Sequence, residues 1–374
     1  MKIAIDVNEL TNSSPGGVKT YTKEIVGALL EVDRENEYFL CAQKDVSKEF
    51  RFSVGDRNSC FLKILKWPLP FWTYVRFAWE IKKQKPDVLF MPIQTAPFLI
   101  FKPKKVKIII TIHDLAFLKF PNHFTFKNKV LLNWHTRRAI KMADKIIVPS
   151  RATKNDLVDL YKIKADKIKI ICHGYKKNYY VASRNAKVRV PVASPYILFV
   201  GTIQPRKNII NLIKAFEIFK KDYNLQPTSY KLVIAGGKGW LWRETSERIK
   251  RSPVKKDIIL TGAVSDQELA MLYSKAKVFV LPSLYEGFGL PILEAFSYGL
   301  PVIAADNSSL SEIVGDAGLL VNSRNPREIT KAIKKIVGND DLRNDLIKKG
   351  KERLKDFSWE KSAREHSGVF RELF

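Results

Sequence analysis

The amino-acid sequence predicts an α/β protein with two Rossmann-like, doubly wound parallel-sheet domains and a cleft between them. Short apolar runs alternate with amphipathic helical stretches, and this alternation stops once and then restarts. The chain has 374 residues, enough for two domains of ordinary size. Hydrophobic residues make up 45% and charged residues 28%, which is typical of a globular protein and excludes a disordered or collagen-like chain.

The apolar runs of the first half are nearly continuous, as expected of strands buried on both faces of a parallel sheet. The predicted strands are 2–7, 37–42, 61–66, 87–92, 107–114, 145–150 and 168–174. Helical patterns lie near 18–31, 70–84, 126–142 and 151–161. We therefore predict a first domain at 1–180.

A polar, basic stretch at 175–195, which contains Pro191 and Pro195, interrupts this pattern and is the predicted linker. The strands predicted after it are 196–202, 230–237, 257–264, 277–283, 301–306 and 318–322. Helical patterns lie near 207–222, 240–250, 265–275, 291–299, 326–337, 341–356 and 359–372. The second domain is therefore predicted at 195–356.

The chain is strongly basic, with 65 Lys and Arg against 38 Asp and Glu, a formal net charge of +27. Residues 1–190 hold 36 basic and 17 acidic residues, so most of the excess lies in the first half. Such a charge attracts nucleic acid, anionic lipid or phosphorylated substrates, although Lys-rich solvated faces explain it equally well. Nucleic acid is the least favoured partner, because the sequence shows neither an aromatic RNA-binding signature nor a helix-turn-helix pattern.

A mixed aromatic and basic segment at 61–85 suggests contact with an anionic membrane surface. It combines three Trp and three Phe side chains with Lys63, Lys66 and Arg76. A buried strand followed by an amphipathic helix is the alternative. The apolar runs are all shorter than the ~18 residues of a membrane span, and Asp6 interrupts the N-terminal run too early for a signal peptide. Three sparse cysteines do not form a disulfide framework. We predict a cytoplasmic protein with peripheral contact to the inner face of the membrane.

Two features of the first half follow predicted strands, where open α/β sheets bind ligands. Gly16 and Gly17 lie between the first strand and its helix, where backbone N–H groups can approach an anion. A plain tight turn explains them equally well. His113, in the sequence Thr111-Ile-His113-Asp114, can bond a sugar hydroxyl or move a proton. For the other four histidines the sequence does not predict a strand end that faces the cleft.

Two cations follow the first strand of the second domain. Arg206 and Lys207, in the sequence GTIQPRKN, are predicted to lie where the next helix begins. Cations there oppose the helix dipole, so their placement favours a bound anion between them. Arg offers a bidentate fork to phosphate and Lys a point charge.

A glycine-rich segment, EGFGLPILE, holds two carboxylates eight residues apart, Glu286 and Glu294. Gly287 and Gly289 expose backbone N–H groups, and Pro291 suits the first turn of a helix. The carboxylates can accept hydrogen bonds from hydroxyls beside a bound anion. Neither has a spacing typical of a metal ligand.

These motifs together resemble the retaining nucleotide-sugar glycosyltransferases of family 4, also called group 1, which have the GT-B fold. EGFGLPILE resembles the E-x7-E signature of that family, GTIQPRKN its phosphate-binding loop and Pro15-Gly16-Gly17 its N-terminal glycine loop. The closing FSWEKSAREHSGVFREL resembles the last helix of the family, about 357–374, which returns to the first domain. HDLAF and PRKN are most similar to bacterial mannosyltransferases of surface polysaccharide assembly.

The resemblance implies a role for each site residue. Arg206 and Lys207 would bind the donor diphosphate, Glu294 the ribose hydroxyls and Glu286 the transferred sugar. The backbone from Gly287 through Phe288 and Gly289 to Leu290 would contact that sugar and the phosphate. His113 would contact the sugar or acceptor, and Gly16 with Gly17 would shape the first-domain side of the cleft. Thr202 stands where many relatives carry a basic residue.

The reaction that follows is hexose transfer with retention from a nucleotide-diphosphate sugar, GDP-mannose being favoured, to a glycan or lipid-linked glycan. Fixed cations and helix N-termini can stabilise the departing diphosphate. No cofactor and no metal are expected, because the sequence has no D-x-D motif placed for a divalent ion. A glycoside phosphorylase or a sugar-nucleotide epimerase of the same fold remains the alternative.

Overall fold

The computed structural model describes residues 1–11, 16–47, 50–51, 59–67, 72–95, 105–175, 194–222 and 230–374. Within these ranges the chain forms two compact units. The first comprises 1–118, 126–174 and 357–374, and the second comprises 119–125 and 175–356. The predicted linker at 175–195 lies almost entirely outside the described residues.

The first unit is built on a seven-stranded sheet in which all pairs are parallel, in the order β3-β2-β1-β4-β5-β6-β7. Its strands are β1 (Lys2–Asp6), β2 (Glu37–Ala42), β3 (Cys60–Ile64), β4 (Val88–Met91), β5 (Lys107–Thr111), β6 (Lys145–Val148) and β7 (Ile168–Ile170). The central strands are buried on both faces, β4 over its whole length. This burial is the reason for the near-continuous apolar runs in the sequence.

The helices of the first unit follow the predicted pattern closely. They are α1 (Gly17–Val32), α2 (Ala78–Gln84), α3 (Ala116–Lys119), α4 (Phe126–Met142) and α5 (Arg151–Tyr161). A π-helical turn, Thr73–Phe77, leads into α2. The last helix of the chain, α13 (Trp359–Arg371), also belongs to this unit and packs against α1.

The second unit has a six-stranded parallel sheet in the order β10-β9-β8-β11-β12-β13. Its strands are β8 (Tyr196–Val200), β9 (Lys231–Ala235), β10 (Ile258–Gly262), β11 (Val278–Leu281), β12 (Val302–Ala305) and β13 (Gly318–Val321). Its helices are α6 (Ile209–Asp222), α7 (Trp242–Lys250), α8 (Asp266–Lys275), α9 (Leu290–Ser297), α10 (Leu310–Val314), α11 (Pro326–Val337) and α12 (Asp340–Arg353). Two doubly wound parallel sheets confirm the predicted fold class.

Both sheets reverse their strand order beside the first strand of the unit. In the first unit β1 lies between β2 and β4, and in the second β8 lies between β9 and β11. Ligands of open α/β sheets bind beyond the carboxyl ends of the strands at this point of reversal. In the second unit, the loops that follow β8 and β11 carry both of the predicted motifs.

Candidate active site

The two motifs of the second unit meet at the carboxyl edge of its sheet. β8 and β11 pair directly, through Val278 with Ile197. The loop after β8 is bonded to the loop after β11, because the Leu284 N–H donates to the Arg206 carbonyl over 2.9 Å. The amide of Asn208 also donates to the Pro282 carbonyl over 3.0 Å. Residues about 80 positions apart in sequence are therefore held together by the fold.

Arg206 and Lys207 lie before the helix and not at its beginning. They occupy a short 3-10 turn, Pro205–Lys207, and Asn208 follows it in the left-handed conformation with φ of 57°. The α-helix begins only at Ile209. This turn explains how both side chains can point the same way, toward the loop after β11, although they are adjacent in sequence.

A buried carboxylate, Glu286, pairs with both cations. Its Oε2 atom lies 2.9 Å from Arg206 Nη1, and its Oε1 atom lies 2.5 Å from Lys207 Nζ. Arg206 also donates to the Tyr285 carbonyl. Burial by itself would raise the pKa of Glu286, but the two cations lower that pKa to about 2. The carboxylate is therefore ionised, and it fixes two positive charges in place.

Two serines that follow β12 form hydrogen bonds with the glycine-rich loop that carries Glu286. The Ser309 hydroxyl lies 2.9 Å from the Glu286 carbonyl and 2.7 Å from the Phe288 carbonyl. The Glu286 N–H donates to Ser308 Oγ over 3.0 Å. Gly289 has φ of 119°, and a Cβ atom there would lie 3.0 Å from the Leu310 side chain, so this position favours glycine. Its geometry turns the chain into α9, where Pro291 has no N–H and the Ile292 N–H donates to the Gly289 carbonyl over 2.9 Å.

The second predicted carboxylate, Glu294, lies within α9 and has a different partner. The Tyr273 hydroxyl donates to Glu294 Oε2 over 2.8 Å. The ring of Tyr273 stacks on that of Tyr298, with centroids 5.5 Å apart. Burial and the nearby carboxylate raise the pKa of Tyr273 well above its usual value, so this phenol remains a donor. Glu294 is therefore oriented by a neutral group and Glu286 by charged ones.

A segment that precedes α4 in sequence belongs to the second unit. In Lys119–Thr125, the His123 carbonyl accepts from the indole N–H of Trp240 over 2.5 Å, and the Phe124 and Trp240 rings are 5.2 Å apart. Burial lowers the pKa of His123, and Arg206 and Arg324 lower it further. Sequence reasoning set His123 aside because it does not follow a strand, and nothing in its local pattern signals this neighbourhood.

In the first unit, His113 lies just beyond β5 as predicted. Its Nε2 atom donates to the Pro92 carbonyl, which follows β4, over 2.8 Å. The edge of its ring meets that of Tyr21, with centroids 4.8 Å apart. Burial lowers the pKa of His113, and the Pro92 carbonyl and Asp114 oppose that shift only in part. This imidazole is therefore neutral at ordinary pH.

His113 belongs to a cluster that joins the two ends of the unit. The Tyr21 hydroxyl lies 2.8 Å from His366 Nε2 in α13 and 2.9 Å from the Thr111 hydroxyl. His366 Nδ1 donates to the Ser362 carbonyl over 2.7 Å, so its Nε2 accepts from Tyr21 when the ring is neutral. The His173 ring lies 4.5 Å from that of Tyr21. Sequence reasoning missed both histidines, because their partners are distant in the chain.

Gly16 and Gly17 occupy the exposed start of α1. Gly16 is the residue before the helix and has extended backbone with φ of −179°, which any residue can adopt. A Cβ atom at either glycine would have no described atom within 4 Å. The folded chain therefore gives no packing reason for glycine here. Pro15 lies outside the described residues.

The aromatic and basic segment at 61–85 contributes several of its side chains to the folding of the first unit. Glu80, which is 1% exposed, accepts from Lys63 over 2.6 Å and from Arg76 over 3.1 Å. Trp72 is buried and donates to the Leu65 carbonyl. Residues 68–71 lie outside the described residues. Lys63 and Arg76 are therefore committed to a buried carboxylate, and charge reversal at these positions would disturb the fold.

The described ranges lack two other kinds of site. No group of three or more His, Cys, Asp or Glu residues is arranged there to hold a metal ion. Among the helices that are described, none is both long enough and apolar enough to cross a bilayer.

Two parallel-sheet units, with a pair of cations and a glycine-rich loop at the edge of the second sheet, define a glycosyltransferase of the GT-B fold. The family model "Glycosyltransferase Family 4" matches residues 15–178, and "Glycosyl transferases group 1" matches residues 183–353. Together the two models cover most of the chain. The protein belongs to this family of glycosyltransferases, as the sequence motifs predicted.

Curated relatives within the family include bacterial mannosyltransferases. The chain is 29% identical over 299 residues to O-antigen chain mannosyltransferase B of Escherichia coli, covering 76% of this chain and 74% of that protein. It is 28% identical to O-antigen chain mannosyltransferase RfbU of Salmonella typhimurium, over 61% of this chain and 60% of that protein. The predicted likeness to mannosyltransferases of polysaccharide assembly is thus confirmed.

Solved structures confirm the fold over the whole chain. Sucrose-phosphate synthase from Thermosynechococcus elongatus has a TM-score of 0.78 at 22% identity and covers 100% of this chain and 99% of its own. HepE of Anabaena, solved in complex with UDP and glucose, has a TM-score of 0.73 at 17% identity, with 99% of both chains covered. At these identities the likeness concerns the fold alone.

Proposed function

We propose that the protein transfers mannose from GDP-mannose to a glycan or lipid-linked glycan in the synthesis of a cell-surface polysaccharide. The observation that carries this proposal is the convergence of Arg206 and Lys207 with the glycine-rich loop at the edge of the second sheet. A nucleotide-diphosphate sugar fits this chemistry, because its negative charge lies next to the bond that breaks. The curated mannosyltransferase relatives favour mannose over other hexoses.

The paired cations would stabilise the leaving diphosphate. As the bond from the sugar to the β-phosphate breaks, negative charge builds on the phosphate, and preorganised donors in a buried site stabilise such charge without reorganisation. Glu286 holds both cations in position before a donor arrives. The backbone from Gly287 to Leu290 would add N–H donors to the same charge.

We propose that this arrangement works with retention at the sugar and without a metal ion. Arg206 and Lys207 supply the positive charge that a divalent ion would otherwise bring to the diphosphate. Glu286 contacts the transferred sugar, Glu294 accepts from the ribose hydroxyls, and His113 contacts the sugar or acceptor. The acceptor hydroxyl attacks on the face from which the diphosphate departs and gives its proton to the leaving phosphate.

A donor screen tests the first part of this proposal. A ligand that binds only the folded chain raises its stability by about 2.7 kcal/mol at a hundred times its Kd, which a thermal shift detects. GDP-mannose should shift the melting temperature more than UDP-glucose or ADP-glucose. A preference for a uridine or adenine donor would overturn the assignment of the nucleotide.

Product analysis tests the reaction itself. Incubation with GDP-mannose and a lipid-linked glycan should release GDP and give a new glycosidic bond with the anomeric configuration of the donor, measured by NMR. The same yield is expected with a chelator present. Consumption of inorganic phosphate with release of a sugar phosphate would indicate a phosphorylase instead, and an altered free nucleotide sugar would indicate an epimerase.

A further inference from the structure

Few residues of helix α4 are buried, and several of its large apolar side chains are exposed. Over its 17 residues only Thr136 and Ala139 are buried. Phe126 is 75% exposed, Val130 50%, Leu131 53% and Trp134 45%. A solvent-facing helix surface is usually polar, so four exposed apolar side chains on one helix indicate a surface that contacts something else.

Seven of the eight exposed residues of α4 share one face with the half-buried Arg138, and the exposed Asn128 lies outside it. At 100° per residue, the following eight side chains fall within an arc of about 140°. They are Phe126, Lys127, Val130, Leu131, Trp134, Arg137, Arg138 and Lys141. The buried Thr136 and Ala139 lie on the opposite side. We call these eight residues the α4 face; it is apolar toward the start of the helix and basic toward its end.

The charge on this helix has a single sign. α4 carries five basic residues and neither Asp nor Glu. The cations stay close to the aromatic rings: Lys129 Nζ lies 5.7 Å from the centre of the Phe126 ring, and the Arg138 guanidinium lies 6.0 Å from that of Trp134. Aromatic and basic side chains in this combination suit the boundary between lipid headgroups and acyl chains.

We propose that the α4 face binds an anionic lipid surface, on which the helix lies flat. A second copy of the chain is disfavoured as the occupant, because two helices with only positive charge would repel each other. The lipid surface supplies both an apolar layer for Phe126 and Trp134 and negative charge for Lys127 and Lys141. The proposal replaces the segment at 61–85 as the principal membrane contact, since Lys63 and Arg76 of that segment hold the buried Glu80.

Flotation of the full-length protein with lipid vesicles tests the proposal without any donor, so its failure would leave the proposed transfer reaction standing. Vesicles of equal parts phosphatidylglycerol and phosphatidylcholine should bind the protein at low salt and release it at high salt, and pure phosphatidylcholine should bind little. Equal binding to both vesicle types, or to neither, would overturn the proposal.

A charge-reversal variant tests whether the basic residues of the α4 face bind the vesicles. Lys127→Glu with Lys141→Glu should weaken binding to anionic vesicles by at least about 25-fold, because each basic residue near such a surface contributes roughly a factor of five. The matched control is Lys348→Glu with Lys351→Glu on α12, a helix that mixes acidic and basic residues. Both variants change the net charge equally, so an equal loss of binding in the two would overturn the assignment to α4.

Substitutions of exposed apolar side chains distinguish a lipid contact through α4 from a contact through α2 and from a dimer. Phe126→Ala with Trp134→Ala should weaken vesicle binding about tenfold or more with only a small fall in melting temperature, because Phe126 is 75% and Trp134 45% exposed. Val75→Ala with Trp79→Ala, two exposed positions near α2, should have a smaller effect. A larger loss from the second pair would move the contact to α2. A concentration-dependent dimer in sedimentation that the first pair abolishes would show a second copy to be the occupant.

Discussion

In the second unit, two cations share a buried carboxylate, whereas in the first unit the predicted site residue lies among imidazole and phenol rings. Glu286 remains ionised because Arg206 and Lys207 flank it, and its pKa falls to about 2. His113 and His366 remain neutral because burial lowers the pKa of each, that of His366 to about 4. The site of the second unit is therefore arranged to meet negative charge, whereas the imidazole rings of His113 and His366 in the first unit stay uncharged at ordinary pH.

The same kind of parallel sheet supports both arrangements. Each unit places predicted site residues just beyond the carboxyl ends of a parallel sheet, His113 in the first and Glu286 in the second. The second unit adds charge from neighbouring loops, while in the first α13 brings His366 to the Tyr21 hydroxyl. The difference lies in the side chains that the loops and the last helix bring together, and not in the sheets.

The largest expected effect is the loss of turnover when either cation of the second unit is removed. Arg206→Ala or Lys207→Ala should lower turnover by about 10²–10³-fold, the scale seen when a preorganised donor to developing charge is removed. Steady-state kinetics would measure this loss, and circular dichroism would establish that the variants are folded. Lys334→Ala, which removes an exposed ion pair to Asp222, is the matched control and should leave turnover unchanged. Wild-type turnover in both alanine variants would contradict the assignment.

The second prediction concerns pH and separates the two units. The usual pKa of histidine is 6.5, and burial lowers the pKa of His366 to about 4 in the folded chain. Between pH 6.5 and 4 the unfolded chain therefore binds a proton at this residue that the folded chain does not. The first unit should therefore be fully stable above about pH 6.5 and lose up to about 1.4 kcal/mol per pH unit from this group as the pH falls toward 4. Glu286, with its pKa lowered from 4.5 to about 2, affects the second unit only below about pH 4.5.

Hydrogen exchange measured by mass spectrometry reports the protection of backbone amides in each unit separately. Between pH 6.5 and 4.5, protection should fall in α1 and α13 before it falls in α9. His366→Asn retains a donor for the Ser362 carbonyl but cannot take up a proton, so it should make the pH dependence of the first unit shallower. The part that remains comes from His113 and His173, because burial lowers the pKa of each. An unchanged slope in this variant would show that another group titrates.

The third prediction concerns the two carboxylates of the E-x7-E segment. Glu294→Gln should weaken binding of the free nucleotide diphosphate about tenfold, the loss expected when a hydrogen bond to a charged group is weakened. Glu286→Gln should hardly weaken that binding, because it removes a negative charge beside Arg206 and Lys207, but it should impair sugar transfer. Calorimetry measures both affinities. Equal weakening by the two substitutions would contradict the division of roles.

The smallest expected effect is at the glycines. Gly17→Ala should change the free energy of unfolding by less than about 1 kcal/mol, since the site is open and helix propensity favours alanine. Gly289→Ala should destabilise the protein more, because φ of 119° strains any side chain. Thermal unfolding compares the two. If Gly17→Ala preserves stability but lowers transfer, glycine there serves ligand approach and not the fold.

Much of the fold could be predicted because hydrophobic periodicity is local. The bounds predicted for α5, 151–161, and α11, 326–337, agree with the structure, since each has a side-chain cap just before a clear apolar stripe. The helix after β8 was predicted to begin at 207 but begins at Ile209. A 3-10 turn intervenes there, and its conformation depends on the bonds of Asn208 to the Pro282 and Ser323 carbonyls.

By itself the sequence determined the class of the protein: two parallel sheets, the order of their elements, and the loops that carry Arg206, Lys207, Glu286 and Glu294. These properties depend on local pattern and on motifs of adjacent residues. Only the tertiary structure decided that Glu286 pairs with both cations. The same is true of the hydrogen bonds from Tyr21 to Thr111 and His366. It is also true of the ion pairs of Glu80 with Lys63 and Arg76. Each of these contacts joins segments that lie far apart in the chain or on different elements, and a one-dimensional pattern does not encode which side chains such a fold brings within bonding distance.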